Sequence, residues 1–310
     1  MTSANISRFY ADQKAPICPL VIKEHFDTLT DKEKLYAHHI GYASWLGARI
    51  ILEQTTPQSS EIFDLVRSTF SAKDDATRLA DLTALRTAAG VSEEDFTGVL
   101  EYAAQFLSNL ANYKSFGDIK FIPRVSEKVF RAVVAAAPRA DDALPLFDKH
   151  VEEIYATTPA ARTLLGYLDA GHVTNYYSGD VTQDDIKAVQ KWVEGRGQDP
   201  LNTRLFKTKG GVLEVRMASA EITKQHEEFK IDDSRTVRVV YGDYAKELAA
   251  IADSLAAAIP HAANDHQRSM LEHYVAHFRG GDVNEHKDSQ REWIKDIGPS
   301  VESNIGFIET

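Results

Sequence analysis

Apolar residues recur through the first hundred positions at the three- and four-residue spacing of a helix face, broken by capping and turn residues. Residues 1–19 read as an irregular arm. A first helix begins near Leu20 and holds Val21, Ile22 and Phe26. Thr30-Asp-Lys-Glu33 is a capping box, in which side chains at both ends satisfy free N–H groups of a starting helix. The helix it opens runs through Leu35, Tyr36, His39, Ile40, Ala43, Trp45 and Ile50, a spacing that predicts one apolar face. Thr56-Pro57 breaks the chain. Further helices are predicted over Ser60 to Phe70, over Ala76 to Ala89 up to Gly90, and from the cap at Ser92-Glu-Glu-Asp95 through Phe96, Val99, Leu100, Ala103 and Leu107. Asn112 to Asp118 interrupts the pattern as a polar turn. Glu127 to Ala137 and Leu144 to Tyr155 resume it.

The character changes near Gly166. Thr174 to Gly179 is β-prone, and Thr182-Gln-Asp-Asp185 is a second capping box, opening a helix with Ile186, Val189 and Trp192. Strands are predicted at Thr203 to Thr208, Val212 to Ala218 and Thr236 to Tyr241, with Lys209-Gly-Gly211 as the turn of a hairpin. Arg204, Arg216, Arg235 and Arg238 lie in or beside them and read as the charged outward face of a half-exposed sheet. Helices follow at Tyr244 to Ile259, at Ala262 to Phe278 ending at Gly280-Gly281, and at Asp282 to Trp293. The fold class is therefore α+β.

The last stretch, 295–310, packs Val301, Ile305, Phe307 and Ile308 around one acid, Glu302. It reads as a strand or a buried extended segment. The bland reading makes it a last core strand with its acid in water.

Composition narrows the function. The 310 residues are 43% hydrophobic and 26% charged, as in a soluble globular protein. A net charge of −11 argues against a nucleic-acid or anionic-membrane surface. No run is long enough to span a membrane. Cys18 is the single cysteine, which excludes an intrachain disulfide framework and makes the cytoplasm the natural compartment.

Five of the eleven histidines lie between 261 and 286. His273 and His277 stand one helical turn apart, a spacing that can hold zinc. Glu272 precedes His273 instead of following it, and no thiolate or second acid is placed to complete a tetrahedral site. These histidines read as surface or partly buried imidazoles. His38 and His39, being adjacent, point to different faces.

The segments Asn109 to Phe121, Tyr176-Tyr-Ser-Gly179, Asn202-Thr-Arg-Leu-Phe206, Arg238 to Tyr244 and Phe278 to Glu309 together resemble the dipeptidyl peptidase III family of zinc exopeptidases. The resemblance runs from Glu33-Lys-Leu-Tyr36 onward in matching order. It implies a lower, substrate-binding lobe with a helical part over 1–165, and a β-barrel-like mixed sheet plus helices over 166–310, packed as one lobe. It implies that Glu302 receives the free ammonium group of a short peptide, that Ser303 and Asn304 line the cleft, and that Phe116 lies near the substrate's first residues. Animal members carry a tyrosine where this sequence has Asn304, so no transition-state role passes to that position.

The family's zinc is held by two histidines with four residues between them, a glutamate directly following the first, and by a further glutamate. That pattern is absent here: His226-Glu227 has no second histidine at the required distance. The zinc lobe is thus expected to be missing from this sequence, as a partial chain or a natural truncation. No catalytic or metal-binding residue is assigned, and peptide hydrolysis is not expected without the zinc lobe. The alternative is a non-catalytic peptide-binding or interaction protein. The expected partners are short peptides with a free N-terminus. Oligomeric state is not legible.

Overall fold

The computed structural model describes residues 6–15, 18–224 and 226–305. Twelve α-helices and four strands are found among them. The helices are α1 (Lys23–Thr28), α2 (Asp31–Leu46), α3 (Ala48–Thr55), α4 (Ser59–Phe70), α5 (Leu82–Ala89), α6 (Glu93–Asn109), α7 (Glu127–Ala135), α8 (Ala140–Tyr155), α9 (Gln183–Gly195), α10 (Ala245–Ala258), α11 (Asp265–Gly280) and α12 (Val283–Trp293). The strands are β1 (Thr203–Lys207), β2 (Leu213–Ala218), β3 (Glu227–Lys230) and β4 (Thr236–Asp243). The α+β expectation holds. No helix among the described residues is long and apolar enough to cross a membrane.

The capping signals act as read. Thr30 accepts from the Glu33 amide while Glu33 reaches back to the Thr30 amide, and Thr182 and Asp185 do the same for α9. The predicted helix over 76–89 starts only at Leu82. Asp81 caps it there, accepting from the amides of Thr83 and Ala84 at 3.0 Å each. Before it, Ala72 and Ala80 close a small loop through backbone bonds to Arg78 and Phe70. Gly90, at φ +64°, ends α5 in the left-handed region as expected of its type.

The chain forms two compact units. The first comprises Ile51–Asn175 with the N-terminal segment up to Cys18, and the second Pro19–Ile50 with the chain from Tyr176 onward. The first is helical, with a core that includes Ile62, Leu65, Phe96, Tyr102, Phe106, Phe130 and Phe147. Its N-terminal arm is less irregular than its sequence suggests. Phe9 is buried, and Phe9 and Ala11 exchange backbone bonds with Ile122.

In the second unit the strands run in the order β1-β2-β4-β3, with β2 and β4 parallel and the outer pairs antiparallel. The hairpin at Lys209-Gly-Gly211 joins β1 and β2. A closed barrel is not found among the described residues. Thr174 to Gly179 makes one bridge, Tyr177 to Leu205, and no strand. Leu205, Leu213, Val215 and Val237 face Val189 and Val193 of α9 in a small core. On the other face Glu214, Arg238 and Glu228 stand in one cross-strand row, where opposite charges attract. Arg204 departs from the outward-facing expectation: it is 9% exposed and paired with Asp243. Arg235 pairs with Asp185 and Asp232. Burial works against the Asp185 charge, yet bonds from Arg235, the Thr182 amide and Lys207 hold its carboxyl at about 2.

A second core of this unit joins α2, α10 and α11 through Tyr36, Ala43, Leu248, Ile251, Leu255, Met270, Leu271 and Tyr274. The single apolar face expected of α2 is a correction. Tyr36 and Ala43 are buried, but Leu35, Tyr42 and Trp45 are exposed, Trp45 by 80%. Its apolar residues encircle the helix, and only one side meets a core. The first helix likewise starts at Lys23, leaving Leu20, Val21 and Ile22 exposed before it.

Candidate peptide-binding segment

Helices α11 and α12 form an antiparallel hairpin. Gly281, at φ +76°, turns the chain, and Asp282 caps α12 by accepting from the Asn284 amide at 2.8 Å. His266 meets Glu292 and His273 meets Glu285, each at 2.7 Å across the hairpin. The ring N–H of His277 donates to the Asp282 carbonyl at 2.8 Å. The two histidines one turn apart thus serve different partners. Among the described residues no group of three or more His, Cys, Asp or Glu side chains could hold a metal ion.

After Trp293 the chain bends, with Lys295 and Asp296 donating to the carbonyls of Glu292 and Trp293. Gly298 lies at φ +67°. Residues 301–305 follow. Val301, Ser303 and Ile305 are partly buried, while Glu302 and Asn304 are exposed, the alternation of an extended chain. Over the described residues 301–305 the segment is extended and pairs with no strand; the rest of the expectation lies outside them. Phe307 and Ile308 lie outside the described residues.

Side chains replace the missing strand partner. The amide of Ile305 donates to the Tyr274 hydroxyl at 3.1 Å, and Gln290 donates to the same oxygen at 2.9 Å. Tyr274 and Gln290 each also reach the Ile305 carbonyl at 3.4 Å. The Tyr36 hydroxyl bonds the Ser303 hydroxyl at 3.1 Å. Trp293 donates its indole N–H to Oε1 of Glu302 at 2.8 Å, and the Ser303 amide donates to the same oxygen at 3.0 Å. Three helices, α2, α11 and α12, therefore mount an irregular segment by its polar groups. Val301 and Ile305 rest against the core those helices share.

The surroundings are acidic. Burial, opposed by the Ser303 bond and aided by Asp296, Tyr274 and Glu302, raises the Tyr36 hydroxyl to about 12. Glu33 accepts from the backbone of Thr30 and from the side chains of Ser300 and Thr30, which hold its carboxyl low. An exposed carboxylate with acidic neighbours favours a cation.

Of the residues singled out in the sequence, Glu302, Ser303 and Asn304 are consecutive in this segment. The Asn304 side chain has no hydrogen-bond partner among the described residues. Phe116 belongs to the first unit. It is 92% exposed at the tip of a braced loop, in which Ser115 donates to Asn109 at 2.9 Å and Lys114 bonds Asp12 at 3.0 Å. Buried Lys120 anchors the end of that loop on Glu153. Sequence reasoning missed Trp293, Tyr274, Gln290 and Tyr36, all read only as helix positions. The one available signal was a tryptophan closing α12 just before the Gly298-Pro299 turn. Two small cavities elsewhere in the second unit, of about 100 and about 50 Å³, lie beside Met217 and Tyr241 and do not include Glu302.

Sequence comparison supplies the class of this mixed fold. Residues 146–310 match the profile of peptidase family M49. The chain is 38% identical over 308 residues to dipeptidyl peptidase 3 of Dictyostelium discoideum, covering 99% of this chain and 43% of that protein. It is 36% identical over 324 residues to dipeptidyl peptidase 3 of Nematostella vectensis, covering 98% and 44%. To that of Homo sapiens it is 36% identical over 312 residues, covering 95% and 41%. This is a peptidase-family chain, and it belongs to peptidase family M49. It spans less than half the length of these relatives.

Proposed function

We propose that this chain is the substrate-binding part of a dipeptidyl peptidase that releases dipeptides from the N-termini of short peptides. Glu302 is the acceptor for the peptide's ammonium group, and Ser303 and Asn304 line the same surface. The observation that supports this reading is the mounting of Glu302. One carboxylate oxygen takes two protein donors while the side chain stays exposed. A carboxylate whose only task is solubility does not call for an indole donor and a fixed backbone.

Phe116 is proposed separately as an exposed ring for an apolar peptide side chain. The zinc that the resemblance implies would lower the pKa of a bound water and polarise the scissile carbonyl when present. The described residues do not fit it, for they supply no three-donor group. The role assigned to these residues is therefore to bind and orient, and this chain by itself is expected to bind peptide without turnover.

Calorimetric titration with tetraalanine and with N-acetyl-tetraalanine tests the reading. A charge-assisted hydrogen bond of about 1.5–3 kcal/mol predicts that acetylation weakens binding by roughly 10- to 100-fold. Glu302→Gln should lose most of that discrimination. Equal affinity for the two peptides, or an unchanged preference in Glu302→Gln, would overturn the assignment.

A further inference from the structure

We propose that the N-terminal arm is a strap on the loop that carries Phe116, with Asp12 as the positioning residue that fastens it. The inference rests on the reading of Phe116 as a ring for an apolar peptide side chain and adds what sets the place of that ring.

The loop is a tight hairpin within the first unit. The Lys114 amide donates to the Ile119 carbonyl at 3.0 Å, and the Asp118 amide donates to the Lys114 carbonyl at 3.2 Å. Ser115, Phe116 and Gly117 form its tip. One flank is anchored in the body of the unit, where Lys120 is buried on Glu153 and the Tyr113 hydroxyl donates to the Arg162 carbonyl at 2.8 Å. The other flank carries Lys114, whose ammonium group bonds both oxygens of Asp12, at 3.0 and 3.1 Å.

Asp12 is held in turn. Its amide donates to Oε1 of Gln105 at 2.7 Å, and Nε2 of Gln105 donates back to Oδ2 at 3.3 Å. Gln105 is a buried residue of α6. On one side of Asp12, Phe9 and Ala11 are buried, and Arg124 donates to the Ala11 carbonyl at 2.8 Å. On the other side, the Lys14 amide donates to Glu101 at 3.1 Å. Terminal segments are ordered only where they are tied down, and this one is tied on both sides of the residue that meets the loop.

The loop needs the restraint. Lys14, Leu110 and Asp118 are non-glycine residues at φ +50°, +53° and +53°. Such backbone persists only where its surroundings over-determine it. Gly117, at φ +106°, adds freedom at the tip. Phe116 itself stands in solvent, so packing does not fix its ring. Its place is set by the ties at the base of the hairpin, Asn109 to Ser115 and Asp12 to Lys114. The Asp12–Lys114 pair is partly exposed and contributes little to global stability, which makes its effect on the loop separable from unfolding.

The experiment uses the full chain as wild type, Asp12→Asn, Lys114→Met and Phe116→Ala. Amide hydrogen exchange is followed at Ser115 and Asp118, with α6 as the internal reference. Affinities for tetraalanine and for Leu-Leu-Ala-Ala are measured by calorimetry. Asp12→Asn and Lys114→Met should each speed exchange at Ser115 and Asp118 by about fivefold and leave α6 unchanged. Each should also lower the wild-type preference for the leucine peptide by roughly two- to fivefold, and the double variant should do no more than either single one. Unchanged exchange at Ser115 and Asp118 in both variants overturns the strap. Faster exchange with the leucine preference intact, while Phe116→Ala loses that preference, overturns the positioning role and leaves the Phe116 reading standing. If Phe116→Ala keeps the wild-type preference, or the wild type shows none, the Phe116 reading falls and the positioning role falls with it, whatever the exchange rates.

Discussion

Arg204 of β1 and Asp243 at the end of β4 meet through two parallel bonds of 2.7 Å, although β2 lies between their strands. Both side chains are about 10% exposed. The guanidinium also lies over the Tyr244 and Phe206 rings, at 4.5 and 5.1 Å. The pair thus crosses the sheet at the point where the chain leaves it for α10.

Removing one partner strands the other charge in a site with little water. Asp243→Ala should destabilise the chain by about 3–5 kcal/mol, seen as a lower urea midpoint. Replacing both, Arg204→Met with Asp243→Leu, should cost much less. A loss below about 1 kcal/mol in Asp243→Ala would put the pair among ordinary surface ion pairs.

Tyr274→Phe removes the hydroxyl that receives the Ile305 and Gln290 donors. Leaving such donors unmatched costs about 1–3 kcal/mol. The effect should be local first: the Ile305 amide should exchange with solvent deuterium faster, ahead of any change in α11. Unchanged exchange at Ile305 would show that the segment is held by packing alone.

Acid should weaken the second unit before any carboxylate titrates. Burial pushes the His277 imidazole down, against the pull of the Asp282 carbonyl, and burial and His277 push His286 down. Burial, His38 and His261 lower His39. The folded state then binds fewer protons than the unfolded chain, so stability is present at high pH and falls as pH drops below the unfolded histidine value of about 6.5. Urea midpoints measured from pH 8 to 5.5 should fall, and His286→Asn should flatten part of the slope. A midpoint that rises on acidification would contradict this sign.

Gly281→Ala meets two obstacles. A Cβ there would stand 2.8 Å from the Met217 side chain and 3.0 Å from the Ala218 carbonyl, on a backbone at φ +76°. A loss of roughly 1–3 kcal/mol is expected, read from thermal unfolding. Gly280→Ala, with open space at its Cβ, is the control and should change stability little.

How much of this was legible varies with the range of the interaction. Thr30, Ser92 and Thr182 announced helix starts because a cap is made by residues three apart. Lys209-Gly-Gly211 announced a hairpin for the same reason. Strand β3 was missed because Glu-Glu-Phe-Lys on a sheet edge has no apolar alternation to read. Trp45 and Leu35 misled because apolar periodicity does not say whether a core is present to receive it.

The sequence by itself determined the resemblance to the family, most of the helices and three of the four strands, and the acid in an apolar run as a candidate. Those rest on local spacing and on matched residues along the chain. The tertiary structure alone decided that Pro19–Ile50 packs with the chain beyond Tyr176, that β2 pairs in parallel with β4, and that Trp293 holds one oxygen of Glu302 while Tyr274 holds Ile305. Each of these depends on where hydrogen-bond donors and apolar faces from distant segments come to rest, and spacing along a chain carries no record of that.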